Sequence, residues 1–208
     1  MNRRALLAGL LALAAPGLGP GARAAEPDAE SARRLVQDTT NRMLTVLKAE
    51  RQTLRERPGR IYDLVNEIIL PHFDFSRMSR WVLGKHWRAA SAPQRERFVA
   101  EFRNLLVRTY ATALLEYADQ SVEVLPMRGD ARATDVVVRT EVRQPGALPI
   151  PIQYSMTAEG GDWKVYDVVI DGVSLVASYR STFGNEIARA GMDGLITTLE
   201  ARNRELAR

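Results

Sequence analysis

The sequence has no cysteine. That excludes a disulfide framework, a thiol nucleophile and a thiolate metal site, and it leaves an apolar core to hold the fold. Histidine occurs only at His72 and His86, and neither has a partner at a metal-ligand spacing. Long hydrophobic runs are also missing. The apolar stretch from Ala5 to Ala15 is shorter than the about 20 residues of a membrane helix, and no later stretch is long enough to span either. Basic blocks with interleaved aromatics are absent, so the high isoelectric point does not indicate nucleic acid as a partner.

What is present begins with an export leader. Arg3 and Arg4 precede the apolar run, and a Gly/Pro-rich stretch ends in Ala22-Arg23-Ala24, an A-x-A cleavage pattern. Residues 1–24 are therefore expected to be a signal peptide, and residues 25–208 a single exported domain. The arginine pair also fits a weak twin-arginine signal, with the general secretory route preferred. The leader carries Arg3, Arg4 and Arg23 and no acid, so its removal lowers the net charge from +4 to +1. The spacing of Gly17, Gly19 and Gly21 falls in the same leader and binds no phosphate in the mature chain.

The hydrophobic pattern divides the remainder into helices, strands and helices. A long helix is expected over Ser31 to Leu54, stopped by Pro58-Gly59, and a second over Ile61 to Ile69, ended by Pro71. A short helical piece covers Phe73 to Leu83. Ser91, Pro93 and Gln94 then supply a capping box for a helix reaching about Tyr117. From Ser121 the period changes to two: Val136, Val138, Thr140 and Val142 alternate with polar or outward residues, as do Ile152, Tyr154 and Met156. Three or four strands up to Ile170 form an antiparallel meander with one dry face. The helical period returns at Ser174, breaks at Gly191 and resumes at Asp193. The expected class is α+β, with helices before and after the sheet packed on its apolar face.

Constellations for chemistry are sparse. His72-Phe73-Asp74 reads as a helix-start histidine with Asp74 as an N-cap, rather than half a metal site. Asp63 and Glu67 stand at i, i+4, a spacing commoner for exposed carboxylates than for a paired acid and base. Gly172-Val173-Ser174 opens like a nucleophile elbow but lacks the closing glycine, so Ser174 reads as an N-cap. No catalytic residue, metal ligand or cofactor is expected. Large apolar groups such as Phe73, Trp81, Tyr154 and Phe183 fit either a filled core or the wall of a pocket, and periodicity does not separate the two.

Three long blocks carry a resemblance. They read ILPHFDFSRMSRWVLGKHWR at Ile69 to Arg88, FVAEFRNLLVRTYATAL at Phe98 to Leu114, and WKVYDVVIDGVSLVASYRSTF at Trp163 to Phe183. In this order they resemble the MlaC-type periplasmic phospholipid-binding proteins, the toluene-tolerance family of auxiliary ABC-transport components. The resemblance implies a nuclear-transport-factor-2-like fold in which a sheet of about four strands and its helices enclose an apolar cavity. It implies a non-enzymatic periplasmic carrier that takes phospholipid between an outer-membrane lipoprotein and an inner-membrane complex of an MCE-domain protein with an ABC transporter.

Combining the matching blocks with inward-facing positions, the pocket wall is expected to use Phe75, Met78, Val82, Tyr110, Leu114 and Tyr179 from helices, with Val138, Tyr154, Val169 and Leu175 from the sheet and its exit. Arg77 and Arg180 are the expected contacts for a headgroup phosphate, with ion pairs to Asp74 or Asp171 as their other reading. Three alternatives remain beside phospholipid transport, one of them a plain interaction module whose core is filled. Another is a hopanoid carrier of the same family, since related branches accompany hopanoid pathways. The third is a small cavity enzyme, for which the expected wall offers only Tyr110, Tyr154 and Tyr179 as acid or base.

Overall fold

The computed structural model describes residues 28–128, 134–158 and 161–207, so the expected leader lies outside the described residues. Helix α1, Ala29–Ala49, starts at a capping box that pairs Asp28 with Ser31, and the Ser31 backbone N–H donates to Asp28 Oδ1 over 2.6 Å. The chain bends at Glu50, whose carboxylate Arg60 holds at 3.1 Å, and continues as α2, Arg51–Glu56. The single helix expected over Ser31 to Leu54 is thus two. After the Pro58-Gly59 turn comes α3, Arg60–Leu64, which widens into a π-type turn over Val65–Ile69. The wider turn re-phases the apolar face: Ile68 is buried against α1, while Ile69 points toward the sheet side.

A short 3₁₀ turn, Leu70–His72, brings Phe73 beside Val165 of the sheet, where the Asp74 N–H donates to the Val165 carbonyl over 2.9 Å. Asp74 then caps α4, Phe75–Leu83, as its position predicts. Helix α5, Lys85–Ala89, follows Gly84, and α6, Ala92–Tyr110, opens on the expected Ser91–Gln94 capping box. Instead of reaching Tyr117 as an α-helix, the chain tightens at Ala111 into a 3₁₀ stretch, Thr112–Asp119.

The sheet is a meander of five strands in sequence order, β1 Ser121–Val124, β2 Asp135–Arg143, β3 Ile150–Thr157, β4 Lys164–Ile170 and β5 Val173–Ser174, each antiparallel to the next. The fifth strand, one more than expected, arises because Asp171 and Gly172 both take positive φ, 49° and 80°, and so close a tight hairpin. Ser174 then caps α7, Leu175–Glu205, its Oγ accepting from the Ala177 N–H and donating to Asp167. Gly191, at φ 72°, breaks α7 where the periodicity breaks.

Register assigns the two faces. Val136 opposes Met156, Val138 opposes Tyr154, and Thr140 opposes Ile152, which in turn opposes Ile170. These residues form the inner face. Val137, Gln153 and Val169 lie on the other. The apolar residues gather into three clusters. Phe98, Phe102, Tyr179 and Phe183 pack ring against ring, with centroids 5.2–5.8 Å apart, in a closed core between α4, α6 and α7. A second cluster joins the first half of α1 to the inner face, and a third joins its second half to α3 and the π-type turn.

Candidate ligand-binding cavity

Between the second and third clusters the packing is incomplete, and a cavity of about 260 Å³ remains. Helix α1 forms one wall with Leu35, Val36, Thr39, Thr40, Met43 and Leu44. The inner face of the sheet forms the opposite wall through the cross-strand pairs Val122–Val142 and Ile152–Ile170, together with Tyr154 and Met156. Ile69, His72 and Phe73 close one side, and Tyr110, Ala113 and Leu114 another.

Three contacts hold these walls apart at a fixed spacing. Trp163 Nε1 donates to Ser31 Oγ over 2.8 Å and ties the start of α1 to the start of β4. The Asp74–Val165 bond anchors the Phe73 side. The Arg60–Glu50 pair fixes the far end of α1. Within this frame, Val138 is fully buried, whereas Ile152 and Tyr154 on the same face keep part of their surface open where they line the cavity.

Among the described residues the lining contains no Asp, Glu, Lys or Arg, and its polar side chains are those of two threonines, two tyrosines and His72. Burial, then the charges of Lys164 and Arg42, lowers the pKa of His72, so the imidazole is held neutral at the edge of a dry space. Lys164 Nζ donates to the Pro71 carbonyl over 2.7 Å, which sets a cation beside that edge. Such an arrangement offers apolar burial inside and positive charge at one rim. Among the described lining residues no carboxylate accompanies His72.

Of the residues expected at a pocket wall, Tyr110, Leu114 and Tyr154 line the cavity. Phe75, Met78, Val82 and Tyr179 belong instead to the closed core of α4, α6 and α7. Val138 and Leu175 pack in the sheet cluster, and Val169 sits on the outer face opposite Gln153. Tyr179 is linked to the cavity through a hydrogen bond with Tyr110. Burial first, and then that bond, push its pKa upward, so it stays protonated.

Arg77 pairs with Asp135 at 3.3 Å and lies 4.6 Å from the centre of the Tyr166 ring, and Arg180 rests against Gly84; neither lines the cavity. The α1 wall, the Ile69 to Phe73 side, Ala113 and the sheet residues other than Tyr154 are the lining that sequence reasoning did not assign to the pocket. The i, i+3, i+4 pattern of Val36, Thr39, Thr40 and Met43 marks a face, not what lies opposite it.

The remaining candidates resolve as structural. Arg60 Nη1 lies 3.6 Å from Asp63 and 3.2 Å from Glu67, so that pair of carboxylates serves an exposed ion-pair network. Among the described residues no group of three or more His, Cys, Asp or Glu could hold a metal ion, and no helix is long and apolar enough to cross a membrane.

Comparison with known proteins matches residues 37–201 to the family model described as MlaC protein. The toluene tolerance protein ttg2D of Pseudomonas putida is 32% identical over 160 residues, 76% of this chain and 74% of that protein. The intermembrane phospholipid transport system binding protein MlaC of Haemophilus influenzae is 26% identical over 169 residues, 80% of this chain and 79% of that protein. The solved structure of a phospholipid-binding protein from Ralstonia solanacearum, in complex with a phospholipid, superposes with a TM-score of 0.79 at 33% identity, covering 85% of this chain and 99% of that one.

Proposed function

The chain belongs to the MlaC protein family, and on that premise we propose that it is a periplasmic phospholipid carrier, exported by its leader and cleaved near Ala24. The observation that carries the reading is the cavity between α1 and the inner face of the sheet, whose described lining is apolar and without charge. Two chains of about 16 carbons are held in a bilayer by roughly 20 kcal/mol at about 0.8 kcal/mol per methylene, so a carrier has to offer them comparably dry surface. A lining of Leu, Ile, Val, Met and Phe does this without distinguishing chain length sharply, because one methylene changes binding by only about 1–3 kcal/mol.

The acyl chains lie against α1 and the inner face, and the phosphate meets the rim where Lys164 and Arg42 flank His72. Tyr110, Leu114 and Tyr154 are wall residues in this reading. The partners are an outer-membrane lipoprotein and an inner-membrane MCE-domain and ABC transporter complex, and the chain performs no chemistry on its cargo. Release requires the α1 wall to part from the sheet.

The test is to express the protein with its leader, purify it without detergent, and combine native mass spectrometry with lipid extraction. A bound mass that extracts as phospholipid is expected. A clean ligand-free mass, from protein that also takes no lipid from vesicles, would refute the carrier.

A further inference from the structure

A second concavity, of about 700 Å³, lies between α4, α5 and α7 and shares no lining residue with the lipid cavity. Its wall carries Arg80, Lys85, Arg88 and Arg180 around Trp81 and Trp87, over the backbone of Gly84. Gly84 is required here twice over. It takes φ 53°, and a Cβ at that position would come within 3.0 Å of Arg180 Nη2. The missing side chain is what lets the Arg180 guanidinium lie against the main chain.

Trp87 is held between the guanidinium groups of Arg80 and Arg95, at 5.8 and 5.4 Å from its ring centre. Trp81 packs tilted against Tyr166, with ring centroids 5.2 Å apart, yet 45% of it is exposed, an unusual cost for the largest apolar side chain. Among the described residues none of the four lining cations has a carboxylate within ion-pair distance.

Every polar side-chain group in this wall is a hydrogen-bond donor, and none is an acceptor. Protein partners present donors and acceptors together around an apolar centre. The headgroup layer of an anionic bilayer presents phosphate oxygens, which only accept, and tryptophan prefers that same interfacial depth. We propose that this concavity docks the protein onto the headgroup layer of an anionic membrane, with the four cations reaching lipid phosphates and Trp81 entering the interface. The site goes beyond the carrier function and is read independently of it, since docking is measured on vesicles and cargo by lipid extraction.

The experiment is co-flotation of the purified full-length mature protein with vesicles of phosphatidylcholine alone, or of phosphatidylcholine mixed with phosphatidylglycerol. Binding to the mixed vesicles is expected, weakening as salt is added. Lys85→Gln and Arg180→Gln should each weaken it about fivefold, and the pair about 25-fold. Trp81→Ala should also weaken it, while Arg55→Gln with Arg57→Gln, exposed cations on α2 and its end, should leave it unchanged. Thermal melting and the extracted lipid content separate a loss of docking from a loss of fold. Equal binding to both vesicle types, an unaltered Lys85/Arg180 double variant, or no vesicle binding by a protein that does bind a polyglutamate peptide would each overturn the proposal.

Discussion

Replacing Val122 with tryptophan directs a large ring from the edge strand β1 into the cavity, across from α1 and beside Val142. The substitution adds about seven heavy atoms, and if each displaces one methylene of the cargo at about 0.8 kcal/mol, chain binding weakens by about 6 kcal/mol, or roughly four powers of ten. Overpacking also costs the empty protein about 1–3 kcal/mol of stability, so the variant has to be shown folded by its thermal transition. Val137→Trp is the matched control, because Val137 lies on the opposite face of the same sheet and is 45% exposed. The assay is phospholipid per protein after detergent-free purification, followed by uptake from vesicles by the emptied protein. Val122→Trp should purify without lipid and Val137→Trp with a full load. A fully loaded Val122→Trp, or a Val137→Trp as empty as its counterpart, would refute the placement of the chains.

Phe102→Ala, in the closed core where Phe98, Tyr179 and Phe183 surround it, should cost about 3–5 kcal/mol in urea unfolding of the lipid-free protein, whereas Leu44→Ala, which widens a space already present, should cost about half that. Equal costs would mean that the space beside α1 is filled. His72 predicts a pH dependence: its folded pKa lies below the ordinary 6.5, so the unfolded chain binds more protons between the two values and stability falls as pH drops through that window. His72→Phe should flatten the slope of melting temperature just below pH 6.5, and an unchanged slope would exclude burial of the imidazole.

Local signals in the chain carried through where a single residue type decides the geometry. Ser91 with Gln94, Asp74, Ser174 and Gly191 each act at the positions their chemistry indicates, and the even-numbered residues of β2 face inward throughout. Departures occur where the outcome depends on something distant. Glu50 ends α1 while paired with a residue ten positions away, and the fifth strand needs two successive positive φ angles. The pocket was the least legible part. Phe75, Met78 and Val82 share one helix face, as Leu35, Val36 and Met43 do, but the first set packs in the cluster of aromatic rings from α6 and α7 and the second lines the cavity. Burial is written along one helix, whereas a cavity is a property of the two surfaces that fail to meet.

The separation of the closed aromatic cluster from the hollow under α1 has an evolutionary consequence. The buried residues of the cluster among α4, α6 and α7 take no part in lining the cavity, and capacity for cargo is concentrated between α1 and the strands. Substitutions at the half-buried lining positions of α1, Thr39, Thr40 and Leu44, can therefore enlarge, narrow or reshape the chamber one residue at a time while buried Val36, Met43 and Leu47 keep the helix seated. A lineage with this layout can change what it carries without passing through forms that do not fold.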